Sequence, residues 1–278
     1  MENSRGRSGV TSPSVYFARP PVVEVVAGIT FTNYTTDFSA ILAAFWKEVL
    51  RDQFPVLQQQ PPYAPPEEQF QEQPSAGFSF QLGGGYPAPR LWASNSDGSE
   101  LIQLQPDWFA RNWRKVKPED EYDRWPSRRT ALTESFAELE RYADSNEFPR
   151  PLISQCEVSY INHISLDGFA DGWGSIGAIM QGQSRLSRAA QVEQAALQVA
   201  YVLQGESQPA GRLHVSIKPA LNAEGQPIYV LELTARSVTG QKGFHSALSF
   251  LDKGREAINT AFVALTTEEM HEKWGIRE

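Results

Sequence analysis

Cys156 and Glu157 stand side by side in the run CEVSYINHI, with His163 close behind. A thiol, a carboxylate and an imidazole in one stretch are the parts of a nucleophilic site. The run also reads as a strand, in which neighbouring residues point to opposite faces. Cys156 and Glu157 then cannot serve one site, and His163 falls on the Glu157 side. A buried structural cysteine is the reading that fits. GWGSIG at 172–177 has the spacing of a dinucleotide-binding turn, with Glu193 about where a ribose-binding acid would sit. A nucleotide-dependent enzyme is the function that motif would carry. Its context is poor, because the first glycine comes six residues after the strand and bulky Trp173 sits inside the turn. A loop is the competing reading.

The histidines, His163, His214, His245 and His271, form no i,i+4 pair and have no cysteine pair to join. HEKWG lacks the second histidine of a zincin, GGG at 83–85 lacks a Gly-Lys-Ser/Thr ending, and no G-x-S-x-G occurs. The spacing thus offers no catalytic residue, no metal and no cofactor, and leans away from an enzyme.

What remains is the chemistry of recognition. Glu24 and Glu157 sit on otherwise apolar strands, where a carboxylate is costly to bury without a partner. Arg114, Arg212 and Arg236 are the cations on hand, and an arginine fork fits a carboxylate bidentately. In LIQLQPDWFARNW (101–113), Gln103 and Gln105 alternate with Ile102 and Leu104. The aliphatics should face helices and the glutamines an open side. Pro106 is expected to end regular pairing, with Trp108, Phe109 and Trp113 folding over an edge. Gln103, Gln105, Asn112, Trp113 and Arg114 would then form one wall of a recognition surface. The plainer alternative is that the tryptophans plug the core while Asn112 and Arg114 satisfy loop carbonyls.

The elements that must position these groups are written in the pattern. Residues 1–18 read as a polar, disordered lead-in. VVEVVAGITF (22–31) alternates as a strand. TTDFSAILAAFWKEVL follows as an amphipathic helix capped by Thr36. Trp46 on its stripe, like Phe262 near the far end, should cost roughly 3–5 kcal/mol to truncate if buried. Residues 55–77 are rich in Pro and Gln and read as an extended crossing loop or as a polyproline ligand. FSFQL (78–82), RLWAS (90–94) and ELIQLQ (100–105) are strands, the last two joined through Asp97-Gly98. A helix opens at Pro126 and Ser127 with the stripe Leu132, Phe136, Leu139 and Tyr142. Residues 152–166 are a long strand, QAALQVAYVLQ another, and a short final helix runs from a Thr266–Glu269 capping box to Gly275.

The second half follows the first. VEVVAGITF parallels CEVSYINHI with Glu24 and Glu157 in register, and RLWASNSDGSELIQLQ parallels RLHVSIKPALNAEGQPIYVLEL. The expected class is α+β. Two pseudo-repeated βαβββα units, 19–150 and 151–278, form one compact pseudo-two-fold unit of antiparallel sheet with helices on one face. The other face would carry Glu24, Thr30, Gln103, Gln105, Glu157, Arg212, His214, Ser216, Lys218, Glu232 and Arg236. At this coarse level the plan is similar to the TATA-binding fold and to GyrI-type effector domains, a likeness that transfers no function.

Composition narrows the classes. With 41% hydrophobic residues, the 278-residue chain can bury a sizeable core. A net charge of −8 disfavours a partner held by phosphate contacts, so a nucleic-acid saddle is the weaker alternative. One cysteine, no apolar signal core and no apolar run of ~20 residues fit a soluble cytoplasmic protein.

PPVVEVVAGITF, QLQPDWFARNWR, CEVSYINHI and AFVALTTEEMHEKWG together resemble a sporadically distributed bacterial family of roughly 250-residue proteins, over about residues 19 to 275. The resemblance brings no activity with it. It implies a signature made of Glu24, Gln103, Gln105, Asn112, Trp113, Arg114, Glu157, Tyr160 and Asn162. EYDRW (121–125) departs from the family's tyrosine–proline–arginine–tyrosine-like run, which puts a role for that loop in doubt. The scattered occurrence implies a mobile defence or toxin–antitoxin setting. The expected function is a binding or regulatory protein that takes a protein partner or a small ligand on its open polar face, with a homodimer allowed as its assembly.

Overall fold

The computed structural model describes residues 15–34, 38–70, 88–182, 192–240 and 243–277. The strand expected at 78–82, the glycines at 83–85 and the Thr36 cap lie outside them. The first half runs β1 (Tyr16–Phe17), β2 (Val22–Phe31), α1 (Phe38–Phe45, prolonged by a π turn), β3 (Val56–Gln60), β4 (Arg90–Ser94), β5 (Glu100–Gln105), β6 (Trp108–Arg114) and α2 (Arg124–Ser145). The second runs β7 (Ile153–Ser165), α3 (Ile176–Ile179), β8 (Leu197–Gln204), β9 (Pro209–Leu221), β10 (Pro227–Ser237), α4 (Phe244–Leu265), α5 (Glu268–Trp274) and β11 (Ile276–Arg277).

Nine of the strands make one antiparallel sheet in the order β3-β4-β5-β6-β2-β7-β10-β9-β8. The chain is thus α+β. β2 and β7 lie side by side at the centre, and later strands of each half are laid outward from them. Val25, Ala27, Ile29 and Phe31 of β2 are buried on one face, beneath the helices. Phe136 of α2 is the hub of that layer. Its ring lies 5.6 Å from Phe109, 6.4 Å from Phe31 and 4.6 Å, stacked, from Phe244 at the start of α4. Phe262 is buried on Phe17 and Trp274, as its stripe required. Trp46 is only partly buried and donates to the Phe54 carbonyl at 2.8 Å, leaving Phe45 as the fully buried member of that turn.

Four local expectations change. Pro106 does not end pairing: Pro106 and Asp107 form a two-residue turn, and Trp108–Arg114 is an inner strand between β5 and β2. Its helix face is covered throughout and its other face is covered at Trp108, so it shows an aromatic cluster in place of alternation. Val56–Gln60, expected as part of a crossing loop, adds an edge strand on β4. The expected disorder through residue 18 does not hold for its last residues, because Tyr16 and Phe17 pair with Arg277 and Ile276. Finally, α5 is capped by Thr267, whose hydroxyl accepts from Met270 N, while buried Thr266 donates back to Phe262 O. Gly275 ends that helix at φ 69°, a left-handed position suited to glycine.

Candidate functional site

Cross-strand neighbours share a face, so the register decides which side chains meet. Glu24 stands opposite Arg114 on β6 and Ile161 on β7; Glu157 stands opposite Gly28 on β2 and Arg236 on β10. Gln103 pairs with Ala110, Asn112 with Val26, and His214 with Thr234. These all belong to the face away from the helices, together with Thr30, Gln105, Arg212, Ser216, Lys218 and Glu232, as strand alternation required.

Half of that face is roofed by the chain itself. Residues 61–70 leave β3 and cross the sheet toward β9 and β10. Two glutamines hold this strap by its backbone. Gln105 accepts from Tyr63 N at 2.8 Å and donates to Tyr63 O at 2.7 Å. Gln155 accepts from Glu68 N and donates to Pro66 O, each at 2.8 Å. The Trp108 ring fills the space beneath and lies 5.1 Å from the Tyr63 ring. Only glycine permits this at position 28, because a Cβ there would sit 1.9 Å from Trp108 Cη2. At the far end Glu68 is buried and bonded by Arg212 and by His214 Nε2 at 2.7 Å, with Arg236 at 3.7 Å. Arg236 also donates to Glu157 Oε2 at 2.6 Å, and Tyr63 Oη donates to Glu157 Oε1 at 3.3 Å.

Burial by itself would raise the Glu68 pKa, but hydrogen bonds from His214 and Arg212 hold it below the ordinary carboxylate value. A lowered folded pKa means stability that is present above the unfolded value and lost as pH falls through the folded one. Glu68 is therefore a low-pH release for the strap. Limited proteolysis should leave residues 61–70 intact at neutral pH and cut them below the ordinary carboxylate range. Glu68→Gln should already be cut at neutral pH, and equal resistance of the variant would show that this anchor is idle.

The other half of the face has no such roof among the described residues. Arg90 Nη1 donates to Gln103 Oε1 at 2.8 Å, Gln103 Nε2 to Asn112 Oδ1 at 2.9 Å, and Asn112 Nδ2 to Glu24 Oε1 at 2.6 Å. The row crosses four strands and ends on a carboxylate. Arg114, directly opposite Glu24, turns away. Its Nε and Nη2 donate to Gly98 O at 3.1 and 2.9 Å, and its guanidinium lies over the Trp92 ring. Glu24 is thus ion-paired with no described residue, whereas Glu157 holds Arg236.

Desolvation raises the Glu24 pKa, against the lowering pull of the Asn112 hydrogen bond and the Arg114 charge, and Glu232 pushes it further up. With a raised folded pKa, the ionised carboxylate weakens the fold, and stability is gained as pH falls through that pKa. Glu24→Gln keeps the acceptor for Asn112. It should melt above the wild type at neutral pH, with the gap closing as pH enters the ordinary carboxylate range. A lower melting temperature at every pH would contradict this.

The signature residues therefore divide. Glu24, Gln103, Gln105, Asn112, Arg114 and Glu157 share the open face. Trp113, Tyr160 and Asn162 do not: each stands one strand position out of phase and points to the helix side, so a single wall containing all nine is corrected. Nor does the polar row await partners at every point. Gln103, Gln105 and Asn112 are buried and hydrogen-bonded within the chain; Arg114 satisfies a loop carbonyl, Gly98 O, as the plainer alternative had it, whereas Asn112 bonds the side chains of Gln103 and Glu24. Residue-level reasoning missed Tyr63, Glu68, Arg90 and Gln155. Gln155 was readable, being in phase with Glu157; the strap residues carry no local signal.

Two reactive readings lose their geometry. Cys156 is fully buried under α4, 3.6 Å from Ala247 O, and burial pushes its thiol up to about 12. GWGSIG forms a tight turn into the four-residue α3, pinned by Trp173 Nε1 to Ile228 O at 3.0 Å and by Tyr229 Oη to Trp173 O at 2.5 Å. Among the described residues the sheet is antiparallel, so the strand–turn–helix setting of a dinucleotide site is missing. No group of three or more metal-ligating side chains occurs among the described residues, and no helix there is long and apolar enough to cross a membrane. No protein-family model matches this chain, and no curated protein matches it.

Proposed function

We propose that this chain is a cytoplasmic binding or regulatory protein that takes an extended segment of a protein partner on the half of its sheet face that no described residue roofs. One observation carries the reading. Two positions with the same glutamate–arginine opposition have opposite fates, Glu157–Arg236 closed beneath the strap and Glu24–Arg114 open. The interval that carries Glu24 to Glu157 also carries Gly28 to Ile161, and the two pairs they form face each other across β2 and β7. This register, with the outward strand order in each half, supports a duplicated βαβββα unit.

The roofed half teaches what the face accepts: extended backbone, read by glutamine amides, with one charged side chain of the opposite sign. Its floor is basic, through Arg212, His214 and Arg236, and the strap offers Glu68. Beside Ile161 the open half is acidic, with Glu24 and Glu232 flanking it, while its arginines, Arg90 and Arg114, are held by Gln103 and by Gly98 O. The fitting segment therefore carries Lys or Arg. A costly carboxylate left without a cation among the described residues suits a site whose cation arrives with the partner. The scattered family distribution would set such a partnership in a mobile defence or toxin–antitoxin context. Peptides tiled across host proteins test the chemistry. Bound spots should be rich in alternate Lys or Arg, and Glu24→Gln combined with Glu232→Gln should erase them. Equal binding of acidic spots would contradict the reading.

A further inference from the structure

A cavity on the helix side of the sheet, away from the polar face, is lined by two of the residues that parity removed from the first site, Tyr160 and Asn162. Its space, open mouth included, is about 640 Å³. Phe17, Val22, Leu233, Ile258, Phe262 and Val263 make the walls apolar. The polar groups are few and converge. Tyr122 and Tyr160 bring their hydroxyls together at 2.7 Å. One hydrogen satisfies that contact, so the pair keeps a second O–H to offer. Asn162 reaches across to Leu231 O at 3.0 Å.

The charges are one-sided. Arg255 and Arg124 line the cavity, and no Asp or Glu does. Neither arginine is in an ion pair with a described residue: the acids of this neighbourhood are spent elsewhere, Asp252 on Arg129 and Asp123 on Arg128. Arg255 hydrogen-bonds the Tyr160 side chain, but its Nε is buried with no hydrogen-bond partner among the described residues, a cost that a native fold rarely leaves unmet. Arg124, at the mouth, adopts a left-handed backbone of φ 70° and lays its guanidinium 4.6 Å over the Tyr16 ring. Non-glycine residues held in that region tend to mark functional sites.

We infer that this cavity binds a small organic acid, its apolar body between α4 and the first strand and its carboxylate on Arg255 and the Tyr122–Tyr160 hydroxyls. The site is separate from the sheet-face proposal, and either can fail alone. The probes are octanoate for an aliphatic body, 1-naphthoate for an aromatic one and octanol as the uncharged control, each followed by calorimetry and thermal shift on the full chain. At least one acid should bind at one site about ten-fold or more tightly than octanol, the worth of a charge-assisted hydrogen bond. The tighter acid identifies the body. Arg255→Gln should remove that advantage and leave octanol unchanged, and Val263→Trp, which fills the space, should abolish binding of both acids. Equal binding of octanol, no binding of either acid at millimolar concentration, or unaltered binding by either variant would overturn the assignment.

Discussion

Phe136→Ala should lower the unfolding free energy by about 3–5 kcal/mol, among the largest losses expected of any single truncation in this chain. The ring is fully buried and touches Phe31 of β2, Phe109 of β6 and Phe244 of α4. Removing it empties the point where the first half's sheet, its second helix and the second half's long helix meet. Urea unfolding with an unchanged slope would report a loss of packing alone. A loss below about 1 kcal/mol would mean that the layer collapses around the gap and that Phe136 is no hub.

Arg236→Met should cost a similar amount, about 3–5 kcal/mol, for an electrostatic reason. Glu157 and Arg236 have side chains only 7% and 11% exposed, and they meet at 2.6 Å. Deleting the arginine leaves a buried carboxylate with the Tyr63 hydroxyl as its remaining side-chain partner among the described residues, and also loosens Glu68 under the strap. Replacing both members, Glu157→Met with Arg236→Met, should recover much of the loss, because desolvation of the pair offsets most of its attraction. The double variant would be stable yet would no longer hold Tyr63. If the single and double variants lose the same amount, the pair is not coupled.

Alternation made most of this architecture readable. Val22–Phe31, Arg90–Ser94 and Glu100–Gln105 have the bounds the pattern indicates, since each has one face on the helices and one toward polar groups. Trp108–Arg114 was opaque for the converse reason. Phe109 and Trp113 meet helices while Trp108 lies beneath the strap, so hydrophobicity appears on both sides. Parity alone would have parted Tyr160 and Asn162 from Glu157, as it parted Cys156; only the family likeness joined them. The strap was illegible because its anchors are glutamine side chains bonded to backbone more than 40 residues away in sequence, which leave no periodic trace. That Arg114 would choose Gly98 O over Glu24 follows from the turn at Asp97-Gly98, and not from any spacing in the sequence.

Glu24, ion-paired with no described residue, is the centre of the functional account, and the direct test is contact with whatever supplies a cation. A photoreactive phenylalanine analogue at Ile161, beside Glu24 on the half of the face that no described residue roofs, would be irradiated in lysate of the native host. A second chain would carry the analogue at Glu256, on α4 behind the sheet. The account predicts cross-linking from Ile161 to a Lys- or Arg-rich extended segment, no such product from Glu256, and loss of the Ile161 product in Glu24→Gln. The same product from both positions, or an undiminished yield in Glu24→Gln, would contradict it.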